Sequence, residues 1–321
     1  MKDRFKREIK YMRISVTDRC NLRCKYCMPE PVKSTSHYNI LRYEEILQIC
    51  KAATKLGITN FKITGGEPLV RSGVVNLITE LKTLPETESV TLTTNGIMLK
   101  EHLEELASAG IDGINISLNA IKPELYESIS GENQVDRTIE AIEASVKAGI
   151  KTKINTVLLK SNIDHIILLS SFAKKSPVDV RFIELMPIGN GKNIEGVDND
   201  TAFALLKKEY PDLNYVNKKI GNGPAEYYHS KLLKGRIGFI SANTHNFCNT
   251  CNRVRLTSTG MLKNCLCYET SLNLRMLIRN GISNTKLQNI MKDEIFNKPA
   301  AHCFSESENI TEQKTMNQIG G

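Results

Sequence analysis

Between residue 13 and about residue 185 the chain alternates short β-branched runs with longer stretches whose apolar residues recur every three or four positions. A period of two marks a strand and a period near 3.6 marks an amphipathic helix, so the order reads as successive βα units. Strands are predicted over residues 13–16, 61–64, 90–94, 113–117, 151–158 and 180–185. Helical spacing covers residues 43–56, 74–84, 101–108, 135–147 and 164–174, and Gly57, Gly110 and Gly149 stand where C-terminal caps fall.

Such a series builds either an open doubly wound sheet or part of a (β/α) barrel, and periodicity does not separate them. The residues that look least structural are Thr64-Gly65-Gly66-Glu67, Thr93-Thr94-Asn95-Gly96, Ser117-Leu118-Asn119 and Glu184-Leu185-Met186. All fall at the C-terminal ends of predicted strands, where both architectures collect their active sites.

After Met186 the pattern changes. Residues 187–200 are rich in Gly and Asn and read as a linker or a long functional loop, followed by a short helix over 201–210. Residues 227–233 and 236–240 flank Lys234-Gly235, and residues 253–257 and 261–264 flank Ser258-Thr259-Gly260, two hairpin signals. The chain is predicted helical between 271 and 296 and ends in a polar tail closing on Gly320-Gly321.

A length of 321 residues supplies a sizeable core for one α/β domain with an appended segment. No apolar run is long enough to span a bilayer, and the first ten residues carry alternating charges in place of a signal-peptide core, so the expected location is the cytoplasm and no membrane partner is expected. There the nine cysteines stay reduced. The net charge of +8 suits nucleic acid or a small anionic substrate. No basic tract, RNP-like aromatic motif or zinc-finger spacing supports nucleic acid.

Cys20, Cys24 and Cys27 lie in C-x3-C-x2-C spacing. Three thiolates from one short loop hold three irons of a 4Fe–4S cluster and leave the fourth without a protein ligand, which suits chemistry better than electron storage. A structural zinc site needs four ligands, and no fourth Cys or His follows within this loop. Cys248, Cys251 and Cys265 form a second set, C-x2-C-x13-C. Here Cys267 makes a four-thiolate zinc site an open alternative to a second cluster. Arg253-Val254-Arg255 tilts the balance, because two guanidiniums on one strand face beside a metal suit bidentate phosphate contacts.

With these residues in view the chain resembles, nearly end to end, the radical S-adenosylmethionine superfamily and, within it, the GTP 3′,8-cyclase family of molybdenum-cofactor biosynthesis. The broader resemblance rests on Cys20, Cys24, Cys27 and Thr64-Gly65-Gly66-Glu67-Pro68; the narrower rests on the second triplet, Arg253-Val254-Arg255, Phe182-Ile183-Glu184-Leu185-Met186 and Gly320-Gly321. It implies an incomplete (β/α) TIM-like barrel of class α/β, residues 1–190, with a C-terminal α+β segment, residues 191–321, covering the open side. It also implies two 4Fe–4S clusters, one on each cysteine triplet, and S-adenosylmethionine on the open iron of the first, contacted by Tyr26, Gly66, Ser117 and Met186.

GTP is the implied substrate, surrounded by Arg13, Lys62, Thr93, Lys153, Arg253, Val254 and Arg255. A 5′-deoxyadenosyl radical removes hydrogen from the ribose C3′, the carbon radical attacks guanine C8, and Arg13 with the Gly320-Gly321 tail assists at the centre. The implied partners are an electron donor and the downstream cyclic pyranopterin monophosphate synthase, and a homodimer is compatible with the resemblance. Lys62 stands where the family often carries Arg, and Asn119 where it often carries Asp. A radical enzyme that modifies peptides is the alternative within the superfamily, and a zinc-binding nucleic-acid module the alternative outside it.

Overall fold

Burial along β3 (Ser89–Thr94) and β5 (Thr152–Leu158) alternates residue by residue, so each strand buries one row of apolar side chains under helices and turns the other row to the opposite face. The computed structural model describes residues 1–28 and 35–320. Its first half runs β1 (Tyr11–Ser15), α1 (Tyr43–Lys55), β2 (Asn60–Thr64), α2 (Val74–Lys82), β3, α3 (Leu99–Ser108), β4 (Gly113–Ser117), α4 (Pro123–Ser130), α5 (Val135–Lys147), β5, α6 (Ile166–Lys175) and β6 (Asp179–Glu184). These strands lie side by side in chain order, each parallel to the next, as expected of a βα series.

The second half contributes α7 (Asn199–Glu209), β7 (Asn214–Tyr215), β8 (Glu226–His229), β9 (Ile237–Ile240), β10 (Arg253–Leu256), β11 (Leu262–Lys263), α8 (Leu274–Arg279), α9 (Asn284–Phe296) and α10 (Met316–Ile319). It covers the open side by lengthening the sheet at both edges. β9 joins β6 in parallel and carries β8 and β7 beyond it, while β10 joins β1 in parallel and carries β11. The sheet of eleven strands runs β11-β10-β1-β2-β3-β4-β5-β6-β9-β8-β7, and its end strands do not pair, so the barrel stays unclosed. One sheet therefore runs through both sides of the boundary expected near residue 190.

Some elements differ from expectation for local reasons. α4 has Pro123 in its first turn and Gly131, with φ +87°, as its left-handed cap, but its eight residues bury only Tyr126, Ile129 and Ser130, too few for a clear period. The predicted helix over 271–296 is two helices: Gly281, with φ +77°, ends the first, and the Ser283 side chain accepts from the Lys286 amide to start the second. Lys234-Gly235 is not a tight hairpin turn. An added Cβ at Gly235 would lie 2.0 Å from the Val178 carbonyl oxygen, so the glycine serves close packing against the residue that leads into β6.

The main core lies between the helices and the outer face of the sheet. A smaller apolar cluster of Ile188, Ala242, Leu266, Cys267, Phe304, Ile310 and Ile319 secures the end of the chain. What reads in sequence as a polar tail is packed: Lys263 and Glu312, their side chains 1% and 2% exposed, form an ion pair beneath it.

Candidate functional site

The face of the sheet turned away from the helices lines a cavity of about 830 Å³ that runs from the starts of the strands to their ends. At the strand ends, Cys20, Cys24 and Cys27 follow β1 and line the cavity together. Two turns shape their loop: the amides of Cys27 and Met28 both donate to the Cys24 carbonyl at 2.9 Å. Burial pushes the thiols of Cys20 and Cys24 up to about 11 and about 12, and that of Cys27 well up, so positive charge from bound iron is needed to ionise them at neutral pH.

The Gly65-Gly66-Glu67 loop lies directly against this segment. Gly66 N donates to Thr17 O at 2.7 Å and Glu67 N to Arg19 O at 2.8 Å, and an added Cβ at Gly66 would sit 2.3 Å from the Arg19 carbonyl oxygen. The reason for glycine visible here is backbone-to-backbone approach. The Glu67 carboxylate accepts from Leu69 N at 3.1 Å, Thr94 Oγ1 at 2.8 Å and Asn95 N at 2.7 Å. Burial outweighs those donors and pushes its carboxyl up to about 7. Asn95 in turn donates to Asn21 Oδ1 at 2.7 Å, while Asn119 donates to Tyr26 Oη at 3.0 Å and fixes that ring at the cavity wall. Ser117, at the end of β4, and Met186, just after β6, line the same end.

Cations fill the middle. Arg255, Arg13, Lys62 and Thr91 occupy one register row across β10, β1, β2 and β3, and Arg253, Lys153 and Arg181 extend the positive wall. Lys62 is held well below the usual lysine range by burial, then by Arg181, Arg13 and Lys153. Arg255 is brought down to about 9 by burial, then by Arg13 and Arg253. Lys153 donates to Tyr227 Oη at 2.8 Å and lies 3.5 Å from Asp179, and Arg181 Nη2 donates to Asn115 Oδ1 at 2.6 Å. Thr93 Oγ1, Asn155 Oδ1 and Arg181 Nε are buried on this wall without a hydrogen-bond partner among the described residues. Mutually repelling cations beside unsatisfied polar atoms form a wall that a polyanionic, hydrogen-bonding ligand would complete.

The second triplet lies just beyond the other mouth, and none of its three cysteines lines the cavity. Arg253 pairs with Tyr11, the first residue of β1, so Cys251, two residues before it, sits at the strand starts, whereas Cys20 follows the end of β1. Cys248 and Cys251 belong to one tight turn, with Cys251 N donating to Cys248 O at 3.2 Å, and Cys265 follows β11. Arg7 braces the turn through Cys248 O at 2.9 Å, and the His302 amide donates to Cys248 Sγ at 3.4 Å. Burial raises the Cys251 thiol, but Arg253 and Lys298 more than offset it and bring it down to about 7. Neighbouring Cys265 and Cys251 add to the burial that pushes Cys248 up, so the three sulfurs share one locality.

Among the described residues no three Cys, His, Asp or Glu side chains gather tightly enough for one metal ion. A 4Fe–4S cluster asks for something else, three sulfurs each bound to a different iron, and both triplets offer thiol-only donor sets of that kind. The residues at both mouths fit such clusters.

Most of the sequence-derived site is brought together. Arg13, Tyr26, Lys62, Gly66, Thr93, Ser117, Lys153, Met186, Arg253 and Arg255 line one cavity with the first triplet. Val254 does not: its side chain points to the other face and is 1% exposed in the core, so only its backbone is available. Gly320 enters the cavity region, its carbonyl oxygen accepting from Arg13 Nε at 2.8 Å and Arg255 Nη1 at 2.7 Å, while Gly321 lies outside the described residues. Sequence reasoning missed Arg181, Asn115 and Asn155. Arg181 stands between Val180 and Phe182 in the middle of β6, a charged residue between apolar neighbours, and that signal was readable.

The comparisons agree across the chain. Residues 14–173 match the Radical SAM superfamily and residues 178–304 match the family described as Molybdenum Cofactor Synthesis C. A GTP 3′,8-cyclase of Clostridium perfringens is 43% identical over 323 aligned positions, covering 100% of both chains. One from Petrotoga mobilis is 40% identical, again over 100% of both chains. Among solved structures, Streptococcus suis SuiB bound to S-adenosylmethionine superposes with a TM-score of 0.65 at 16% identity, covering 97% of this chain and 78% of that one, a likeness of fold.

Proposed function

The chain belongs to the GTP 3′,8-cyclase family of the radical S-adenosylmethionine superfamily, and from that premise we propose how its own residues divide the conversion of GTP to (8S)-3′,8-cyclo-7,8-dihydroguanosine 5′-triphosphate in molybdenum-cofactor biosynthesis. The observation that carries the reading is one cavity that joins the first cysteine triplet to a wall of cations ending in Arg253 and Arg255, beside the second triplet.

When bound, the two 4Fe–4S clusters and S-adenosylmethionine supply the radical and the electrons. Cys20, Cys24 and Cys27 hold the first cluster, and Cys248, Cys251 and Cys265 the second. Tyr26, Gly66, Ser117 and Met186 hold S-adenosylmethionine, with Asn119 fixing the Tyr26 hydroxyl. Lys62, Lys153, Arg253 and Arg255 neutralise the triphosphate, Thr93 gives it a hydroxyl contact and Arg181 joins them from β6, with the Val254 backbone between the two arginines of β10. Lys62 supplies point charge without a planar fork, so the bidentate contacts fall to the arginines. Arg13, held by the Gly320 carbonyl, stands ready to assist the closing reduction, and Gly320 and Gly321 are assigned to assist it at the centre.

In this division residues 1–190 carry the first cluster, residues 191–321 carry the second cluster and the Gly-Gly tail, and the nucleotide bridges the two, held by Lys62, Lys153 and Arg181 on one side and Arg253 and Arg255 on the other. The reading calls for an electron donor, hands its product to a cyclic pyranopterin monophosphate synthase, places the reaction in the cytoplasm and accommodates a homodimer. No helix of the described residues is long and apolar enough to cross a membrane. The deciding experiment is anaerobic incubation of cluster-loaded protein with S-adenosylmethionine, reductant and GTP. Cyclised nucleotide with GTP-dependent 5′-deoxyadenosine is the expected result; equal 5′-deoxyadenosine without GTP and no cyclised product would overturn the substrate assignment.

A further inference from the structure

Two thiols that neither triplet uses face each other beside the second mouth. Cys267 Sγ and Cys303 Sγ lie 2.8 Å apart, although 36 positions separate them in the chain. The Cys303 amide donates to Cys267 Sγ at 3.3 Å, and Cys303 Sγ donates to the Asn309 carbonyl at 3.1 Å. A disulfide bond of about 2 Å therefore asks for only a small further approach of the sulfurs. Cys267 is fully buried, whereas Cys303 is half-buried and open to a small reagent.

The place of the pair in the chain gives it a consequence. Cys267 lies two positions after Cys265, and its carbonyl accepts from the Glu312 amide at 3.2 Å. Cys303 begins the segment that packs Phe304, Ile310 and Ile319 into the small apolar cluster and delivers the Gly320 carbonyl to Arg13 and Arg255. A bond between the two sulfurs would join the root of the tail to the hairpin that carries a metal-ligand candidate.

We propose that Cys267 and Cys303 form a reversible redox site, closed by a low-molecular-weight disulfide into a staple at the root of the C-terminal tail. The more exposed Cys303 sulfur attacks the small disulfide, giving a mixed disulfide and one small thiol; the buried Cys267 sulfur then displaces the second small thiol. Two protein S–H bonds and one small-molecule S–S bond are lost, while one protein S–S bond and two small-molecule S–H bonds form. The small disulfide takes both electrons and both protons, and excess small thiol reverses the exchange. The proposal stands on the thiol pair and does not depend on the nucleotide assignment.

The test uses full-length, cluster-loaded protein kept anaerobic, treated with oxidised glutathione, quenched with iodoacetamide and mapped by peptide mass spectrometry while iron is measured in parallel. The expected result is a Cys267–Cys303 crosslink in most molecules, removed by reduced glutathione, with iron unchanged and slower hydrogen exchange over residues 304–319. In Cys267→Ser, Cys303 should stop at the mixed glutathione disulfide. In Cys303→Ser, at the half-exposed position, the crosslink should vanish and Cys267 stay unmodified. Both thiols alkylated after oxidant, unchanged exchange in the tail, or loss of iron in either serine variant would overturn the proposal, the last by making the pair cluster ligands.

Discussion

Arg13 and Arg255 donate to one and the same acceptor, the carbonyl oxygen of Gly320, at 2.8 and 2.7 Å. Two guanidiniums of adjacent strands, paired in register, would repel each other, and the tail oxygen between them offsets part of that cost. The tail is thereby tied to the cationic wall proposed to hold the nucleotide.

Gly320→Ala tests that tie. Gly320 has φ +78°, and an added Cβ would lie 3.0 Å from Ser15 Cβ and 3.2 Å from Thr64 Cγ2. Left-handed backbone costs a non-glycine residue about 1–2 kcal/mol, and about 1.4 kcal/mol in a barrier is tenfold in rate. Formation of cyclised nucleotide should fall about tenfold or more, while S-adenosylmethionine binding, followed by equilibrium dialysis, stays at the wild-type level. A variant with unchanged turnover would show that the contact is dispensable.

Gly66→Ala acts at the same strand ends, two positions beyond Thr64, but through a different cause. The obstruction is the Arg19 carbonyl oxygen, a backbone atom that no rotamer change can move. The strand-end loop must shift away from the segment leading to Cys20, so the first cluster is expected to be lost and iron per chain to fall to roughly half, one cluster of two. Iron analysis with a 5′-deoxyadenosine assay reads this directly; full iron with normal radical formation would refute it.

The βα order, both cysteine triplets and most of the cavity wall were legible because each is local: a period, a spacing, a polar residue at a strand end. The placement of the second triplet at the opposite mouth was not, because it depends on β10 joining β1 in parallel, a pairing between positions far apart in the chain. The outward side chain of Val254 follows from the same pairing, through a strand phase that the arginines on either side already implied. The folded tail was illegible for a third reason. Its anchors, Ile310, Glu312 and Ile319, are scattered through polar sequence and find their partners in residues near 188, 242 and 263, far off in the chain.

Glu312→Ala should loosen that tail. Lys263 and Glu312 are almost wholly buried, and burial already pulls the Lys263 ammonium below its usual range against the pull of its partner. Removing one member of a buried pair leaves an uncompensated charge, at a cost of about 3–5 kcal/mol. Tail residues should become accessible to limited proteolysis at a protease concentration that leaves wild type intact, and the double variant Lys263→Met with Glu312→Leu should recover much of the protection. Equal proteolysis of wild type and Glu312→Ala would count against the ion pair as the anchor.

Removal of iron should expose a difference between the two triplets. In the protein stripped by a chelator, burial raises Cys251, yet Arg253 and Lys298 bring it down to about 7, whereas burial leaves Cys20 and Cys24 at about 11 and about 12. The thiolate is the nucleophile, so alkylation rises with pH through each thiol's own midpoint. At pH 8 Cys251 is mostly ionised and Cys20 ionised only to about one part in a thousand, since each pH unit is a factor of ten. Iodoacetamide followed by peptide mapping should therefore label Cys251 well before Cys20 or Cys24, with half-maximal rate near pH 7. In Arg253→Gln the largest lowering influence is gone, and the midpoint should move up. Equal labelling of Cys251 and Cys24 across pH 6–9, or a midpoint unmoved by Arg253→Gln, would show that Arg253 does not set the charge of the second mouth.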